Sequence, residues 1–227
     1  MICLGTNDGR RSGANDPVQV HYDKGEQIYL QGDPCHYWFE VVSGVVRTCH
    51  FHADGHRQLT GFFYCDDVFG LDIGDYPESA EAVTAVRVRR HVRVDGSTPV
   101  ENHSQEVALR RALQSAQECI FLLGHRTAAE RVAAFLVAMK DRAPAETRLV
   151  VPMSRADIAD HLGLTIHTVS RTISDLGRRR LVEFDTPHEI RILNVEKLRE
   201  LAGECPGQMD GTRDPEKIED QWGFQAA

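Results

Sequence analysis

The chain has 227 residues, enough for two modest domains with separate cores, and its 41% hydrophobic and 26% charged residues are ordinary for a soluble globular protein. No apolar stretch approaches the roughly 20 residues of a membrane span, and the opening MICLGTNDGRRSGANDP lacks the charged start and apolar run of a secretory signal, so the expectation is a cytoplasmic protein with no membrane partner. The net charge of −8 neither supports nor excludes a nucleic-acid partner, because phosphate contacts need only a local basic surface.

Residues 1–16 are rich in Gly, Asn, Asp and Arg and are expected to form a mobile leader. From Val18 to Val94 the texture is β, with short alternating segments at Gln27–Leu30, Trp38–Val42, Val45–His50, Leu59–Phe63 and Val86–Val92. Turn signals separate them: Lys24-Gly25, Gln31-Gly32-Asp33-Pro34, Ser43-Gly44 and Ala53-Asp54-Gly55. Strands and turns at such intervals predict an antiparallel sandwich or jelly roll.

The pattern then switches to helix. Between Glu101 and Leu123, the residues Leu109, Leu113, Ala116, Ile120 and Leu123 fall at steps of 4, 3, 4 and 3, the spacing of an a/d seam. Such a seam buries one narrow stripe against another helix, either within the monomer or across a dimer. Gly124 allows a break before a second helix over Thr127–Lys140, which the loop Arg142-Ala143-Pro144-Ala145 ends.

The most informative stretch runs from Ser154 to Leu176. Ser154 and Asp157 form a capping pair for a short helix, whose apolar side is Ile158, Ala159 and Leu162. Gly163 supplies a tight turn, and Thr165 caps a second helix from Thr165 to Leu176. There, Ile166, Val169, Ile173 and Leu176 are expected to pack inward, while His167, Ser170, Arg171 and Ser174 share another face and point to solvent. A helix held across a short turn with a donor-rich outer face suits the DNA major groove. Arginine pairs with guanine O6 and N7, and serine is a flexible contact to base or phosphate. The bland alternative is an αα-hairpin packed in a core. Against it stands the sequel: the basic run Arg178-Arg179-Arg180, then Leu181–Phe184, a turn at Asp185-Thr186-Pro187-His188, and Glu189–Leu193, which together predict a β-hairpin wing. The candidate DNA contacts are therefore Thr165, His167, Thr168, Ser170, Arg171 and Ser174, with Arg155 on the preceding helix. Residues 204–227 are polar and acidic and are expected to be a disordered tail.

Other chemistries find little support. The six cysteines (Cys3, Cys35, Cys49, Cys65, Cys119, Cys205) contain no C-x-x-C pair, so neither zinc nor the usual iron–sulfur spacing is present. His161 and His167 are six residues apart across a turn, a poor metal spacing. A phosphate-cradling glycine loop, a His-Glu-x-x-His helix and a nucleophile elbow are all missing, so no enzyme activity and no metal or cofactor are expected.

The segment Leu162–Leu176 resembles the recognition motif of the CRP/FNR superfamily, and more narrowly the FixK branch, in which Leu-Thr-x-Glu-Thr-Val-Ser-Arg is typical. Tyr22-x-Lys-Gly-Glu-x-Ile-Tyr, Gly32-Asp-Pro, Val41-Val-Ser-Gly-Val-Val-Arg-Thr, Asp54-Gly-x-Arg-Gln, and Phe69-Gly-Leu followed by Ser79-Ala-Glu-Ala-Val-Thr resemble FixK-type sensor domains. The resemblance implies an α+β protein: a jelly-roll (β-roll) sensor domain at 17–100, a long dimerisation helix at 101–124 carrying the apolar seam, a winged helix-turn-helix at 125–203 and a tail at 204–227. It also implies a homodimer, double-stranded DNA with a half-site like TTGAT, RNA polymerase as a partner, and control of microaerobic or respiratory genes.

Related domains hold cyclic nucleotide with a Gly-Glu pair and an arginine followed by a small hydroxyl residue. Here Asp72, Glu78 and Glu81 place carboxylates where a phosphate needs positive charge, which argues against cyclic AMP. Only Cys3 lies in the leader, which argues against the four-cysteine cluster of FNR-type sensors. Cys65 and Cys119 are candidate redox thiols, whereas Ser154 stands where some FixK relatives carry cysteine. The resemblance thus implies a regulator without an obligatory effector; a ligand- or haem-responsive regulator of the same family, its ligands among eleven histidines, is the alternative. One departure matters. The family glutamate is His167 here, so selectivity at the base it reads should be altered or relaxed.

Overall fold

The computed structural model describes residues 17–55, 57–93, 113, 127–142, 148–186 and 188–203. They divide into two compact units, one holding the described residues up to 125 with Val151–Ser170, the other Arg126–Val150 with the residues from Arg171 onward.

The first unit begins with eight strands: β1 (Val18–Tyr22), β2 (Gln27–Tyr29), β3 (Tyr37–Ser43), β4 (Val46–Phe51), β5 (Arg57–Phe63), β6 (Val68–Phe69), β7 (Ser79–Ala82) and β8 (Val86–Val92). They form two antiparallel four-stranded sheets, ordered β1-β8-β3-β6 and β2-β7-β4-β5, the roll expected from the spacing of turns. Alternation sets the faces: along β8, Val86 and Val88 are fully buried while Arg87 and Arg89 point outward. The interior between the sheets is aromatic, with Tyr29 stacked on Tyr76 at 3.7 Å and Phe39 on Phe69 at 5.1 Å. Gly44 joins β3 to β4 at φ +92°, where a Cβ would lie 2.4 Å from the Ala85 carbonyl oxygen, so no other residue fits that turn.

One irregularity has consequences outside the roll. Thr48 pairs with Gly61 and Cys49 with Leu59, so Thr60 is an extra residue in β5. Its hydroxyl lies 2.7 Å from that of Thr48. Because residues opposite one another share a face, the bulge brings Phe62 to the same side as Leu59 and Arg57, level with Arg47 and Cys49 of β4. Leu59, Cys49 and Phe62 are all buried there, and a helix of the same unit, α2 (Arg155–Leu162), lies against β5.

The second unit contains α1 (Ala128–Arg142), opened by a reciprocal pair in which the Thr127 amide donates to Glu130 at 2.9 Å and the Glu130 amide to Thr127 Oγ1 at 3.3 Å. Its apolar face, including Val132, Leu136 and Val137, is buried, and it packs against α4 (Val195–Ala202), to which Arg199 adds an ion pair with Asp141. Strands β9 (Arg148–Val150), β10 (Val182–Thr186) and β11 (Glu189–Ile192) make an antiparallel sheet ordered β10-β11-β9, the expected wing with one further strand. Of the apolar seam, Leu109, Ala116, Ile120 and Leu123 lie outside the described residues, while Leu113 is helical and 60% exposed. The leader, the tail and the loop at 143–147 also lie outside them. No described helix is long and apolar enough to cross a membrane.

Candidate nucleic-acid interface

Helix α2 starts as its sequence predicts. The Asp157 amide donates to Ser154 Oγ at 3.1 Å, and Asp157 Oδ2 accepts from the Ser154 amide at 3.2 Å and its hydroxyl at 2.7 Å. Gly163 ends it in the left-handed conformation, φ +61°, with Leu164 N–H donating to the Ala159 carbonyl at 2.9 Å. Two residues later the chain re-enters a helix, α3 (Ile166–Arg178). Thr165 Oγ1 accepts from the Thr168 amide at 3.1 Å and lies 2.8 Å from Thr168 Oγ1, so the two threonines close the first turn.

The faces of α3 separate as expected, with one correction. Val169, Ile173 and Leu176 are buried, but Ile166, assigned to the same stripe, is 49% exposed. It is the first residue of the helix, at the end of the stripe beside the turn, where no preceding helical turn covers it. Thr165, His167, Ser170, Arg171 and Ser174 are exposed and Thr168 is half-buried. Arg155 opens α2 half-buried, and desolvation pulls its guanidinium below its ordinary pKa.

Helix α3 ends on a device that the sequence conceals. Leu181 N–H donates to the Leu176 carbonyl at 3.0 Å and Arg180 N–H to Gly177 at 2.9 Å, the pair of bonds of a Schellman cap. The left-handed residue such a cap requires is Arg180, at φ +54°, rather than glycine. Arg178 pairs with Asp175 at 3.0 Å, and Arg179 and Arg180 are exposed, so the basic run stands at the end of the helix. Beyond it, β10 and β11 are tied by Arg191 and Glu183 at 3.0 Å, and His188 is exposed at the turn.

The opposite side of α2 is engaged by residues that motif reading missed. Asp157, its side chain 5% exposed, accepts at Oδ1 from Arg47 at 2.6 Å and from Arg57 at 3.0 Å. Arg57 also donates to Asp160 at 2.7 Å, and Arg47 to Glu81 at 2.8 Å. Burial alone would raise the Asp157 pKa, but the Ser154 hydrogen bonds and the two guanidinium groups outweigh it and hold it below the ordinary value. His161, one turn further on, meets the Phe62 ring edge-on at 5.0 Å between centroids, and burial pulls its imidazole down to about 4, so it is neutral at pH 7.

Within the roll, burial raises the Glu78 carboxyl above its ordinary value, and Thr60 Oγ1 donates to it. Cys35 and Cys49 are buried and Cys65 is exposed; desolvation raises all three thiols, opposite to the activation that a redox sensor needs. Cys3, Cys119 and Cys205 lie outside the described residues, and among the described ones no cluster of histidine, cysteine and carboxylate side chains has the arrangement of a metal site.

Comparison with known proteins agrees with this geometry. Residues 130–201 match the Crp-like helix-turn-helix domain family and residues 19–92 the cyclic nucleotide-binding domain family. The chain is 37% identical over 185 residues to the nitrogen fixation regulation protein FixK of Rhizobium meliloti (strain 1021), covering 80% of this chain and 85% of that one. It is 32% identical to the transcriptional activator protein anr of Pseudomonas aeruginosa, over 83% of this chain and 80% of the other. Among solved structures, FixK2 from Bradyrhizobium japonicum superposes with a TM-score of 0.75 at 33% identity, covering 84% of this chain and 98% of that one.

Proposed function

The chain belongs to the CRP/FNR family of transcription regulators, FixK-like within it, and from that premise we propose that it is a homodimeric activator that reads a palindrome related to TTGAT-N4-ATCAA. The observation that carries this reading is the outer face of α3: His167, Ser170, Arg171 and Ser174 are exposed on a helix whose opposite side is buried and whose first turn is fixed by Thr165. Arg171 is the guanine-reading side chain, Ser170 and Ser174 contact base or phosphate beside it, and His167 reads the neighbouring pair. Thr165, Thr168 and Arg155 border this face, with Arg179 and Arg180 placed for phosphates at the other end of the helix.

The proposed organisation is a roll at 17–100, a dimerisation helix at 101–124 using Leu109, Leu113, Ala116, Ile120 and Leu123, a winged helix-turn-helix at 125–203 and a tail at 204–227. The roll is proposed to act without cyclic nucleotide or iron–sulfur cluster, because the stretch that would cradle a phosphate offers Asp72, Glu78 and Glu81, the last already paired with Arg47. By analogy with the family, the proposal extends to a cytoplasmic location and recruitment of RNA polymerase at microaerobic or respiratory genes.

Titration of a labelled duplex carrying the palindrome tests the reading. Binding about a thousandfold or more tighter than to a random duplex is expected, as is loss of most of that preference in Arg171→Ala. Equal affinity for both duplexes would refute it.

A further inference from the structure

The α2 helix supplies only Arg155 to the proposed DNA contacts, yet it holds a densely bonded charge cluster. Three strands and one helix supply it. Arg47 of β4 and Arg57 of β5 share Asp157 Oδ1, at 2.6 and 3.0 Å, and Arg57 continues to Asp160 at 2.7 Å. Arg47 is itself oriented by Glu81 of β7 at 2.8 Å. Asp157 is saturated, because its other oxygen accepts from the amide and hydroxyl of Ser154 at the helix start. Between the two arginines lies the apolar seat of Cys49, Leu59 and Phe62, brought to one face by the bulge at Thr60, with His161 edge-on to Phe62. Roll and helix thus meet through a buried apolar centre and one charge clamp converging on Asp157, within one compact unit.

Buried ion pairs contribute little net stability, because desolvation cancels most of their Coulomb gain. Their hydrogen bonds do fix orientation. The cluster leaves the outer face of α3 exposed, so it does not occlude the reading surface. A helix pair already held in one orientation loses less conformational freedom when it docks on DNA. We propose that Arg47, Arg57, Asp157 and Asp160 form a clamp that fixes the orientation of α2, the first helix of the pair, on the roll, making them positioning residues for sequence-specific DNA binding.

This rests on the DNA-reading assignment, and the test separates the two. Arg57→Gln, Asp160→Asn and the double variant avoid both the recognition face and the capping pair. Affinity for the palindrome and for a random duplex is measured with melting temperature and hydrogen exchange of the α2 amides. Each single variant should lose about tenfold on the palindrome, and the double variant no more than either single, because they break one clamp. Random-duplex affinity and melting temperature should hold while the α2 amides exchange faster. Arg57→Lys, whose ammonium can donate to both carboxylates, should stay within about threefold of the unsubstituted protein. Unchanged or increased palindrome affinity in Arg57→Gln overturns the clamp, as do equal losses on both duplexes accompanied by a fall in melting temperature. An unsubstituted protein without preference for the palindrome overturns the DNA-reading assignment instead.

Discussion

Leu181 donates its amide hydrogen to the Leu176 carbonyl across 3.0 Å, and that bond obliges Arg180 to adopt φ +54°. A left-handed arginine is disfavoured relative to glycine by about 1 kcal/mol, a cost tolerated where the side chain has work to do. Arg180→Gly should raise the unfolding free energy by about that amount while weakening DNA binding and reducing the salt slope by about one phosphate contact. Denaturant unfolding and salt-dependent binding of the same variant check both halves.

Gly177 stands in the same helix without needing its freedom. A Cβ there would meet Phe184 at 3.7 Å and the Val182 carbonyl at 3.9 Å, ordinary contact distances. Gly177→Ala is expected to stabilise the protein by about 0.5–1 kcal/mol, by restricting the unfolded chain. Its DNA affinity should be unchanged, since the residue is not on the reading face.

His161 predicts an acid limb. Its imidazole is held at about 4 by burial, below its ordinary 6.5, so the unfolded chain takes up a proton that the folded chain refuses. Stability is therefore full above pH 6.5 and falls between there and about 4, at up to about 1.4 kcal/mol per pH unit. Asp157 acts in the same sense but lower down. Its depressed carboxyl stabilises the fold above its ordinary 3.8, a contribution lost only as pH falls through the lower folded value. Denaturant midpoints of the unsubstituted protein and His161→Gln between pH 7 and 4.5 should converge as the pH falls.

At position 167 the exposed imidazole can donate a hydrogen bond, where a carboxylate would only accept. His167→Glu should sharpen discrimination at one base pair of each half-site by about 1–3 kcal/mol, leaving selection of the guanine assigned to Arg171 in the proposal unaffected. Competition with single-base variants of the palindrome measures it.

The parts legible in the sequence are those set by neighbours along the chain. Ser154 with Asp157, Gly163 and the Val169-Ile173-Leu176 stripe are local patterns, and each appears as expected. Ile166 continues the same period yet is exposed, because periodicity does not say where a helix begins. The Thr60 bulge is hidden for a similar reason: simple alternation through Leu59, Gly61 and Phe63 would send Phe62 to the other face, and one extra residue reverses that. Arg180 conceals its cap because a left-handed residue is normally announced by glycine. Arg47 and Arg57 are about a hundred positions from Asp157, and no spacing rule joins them.

Selection of bound sites from random duplex DNA by the purified full-length protein tests the DNA-reading role most directly. A symmetric site is predicted, with half-sites related to TTGAT one helical turn apart, an invariant guanine that loses its selection in Arg171→Ala, and a relaxed position opposite His167. Recovery of no consensus, or of a consensus that survives Arg171→Ala unchanged, would contradict reading by the outer face of α3.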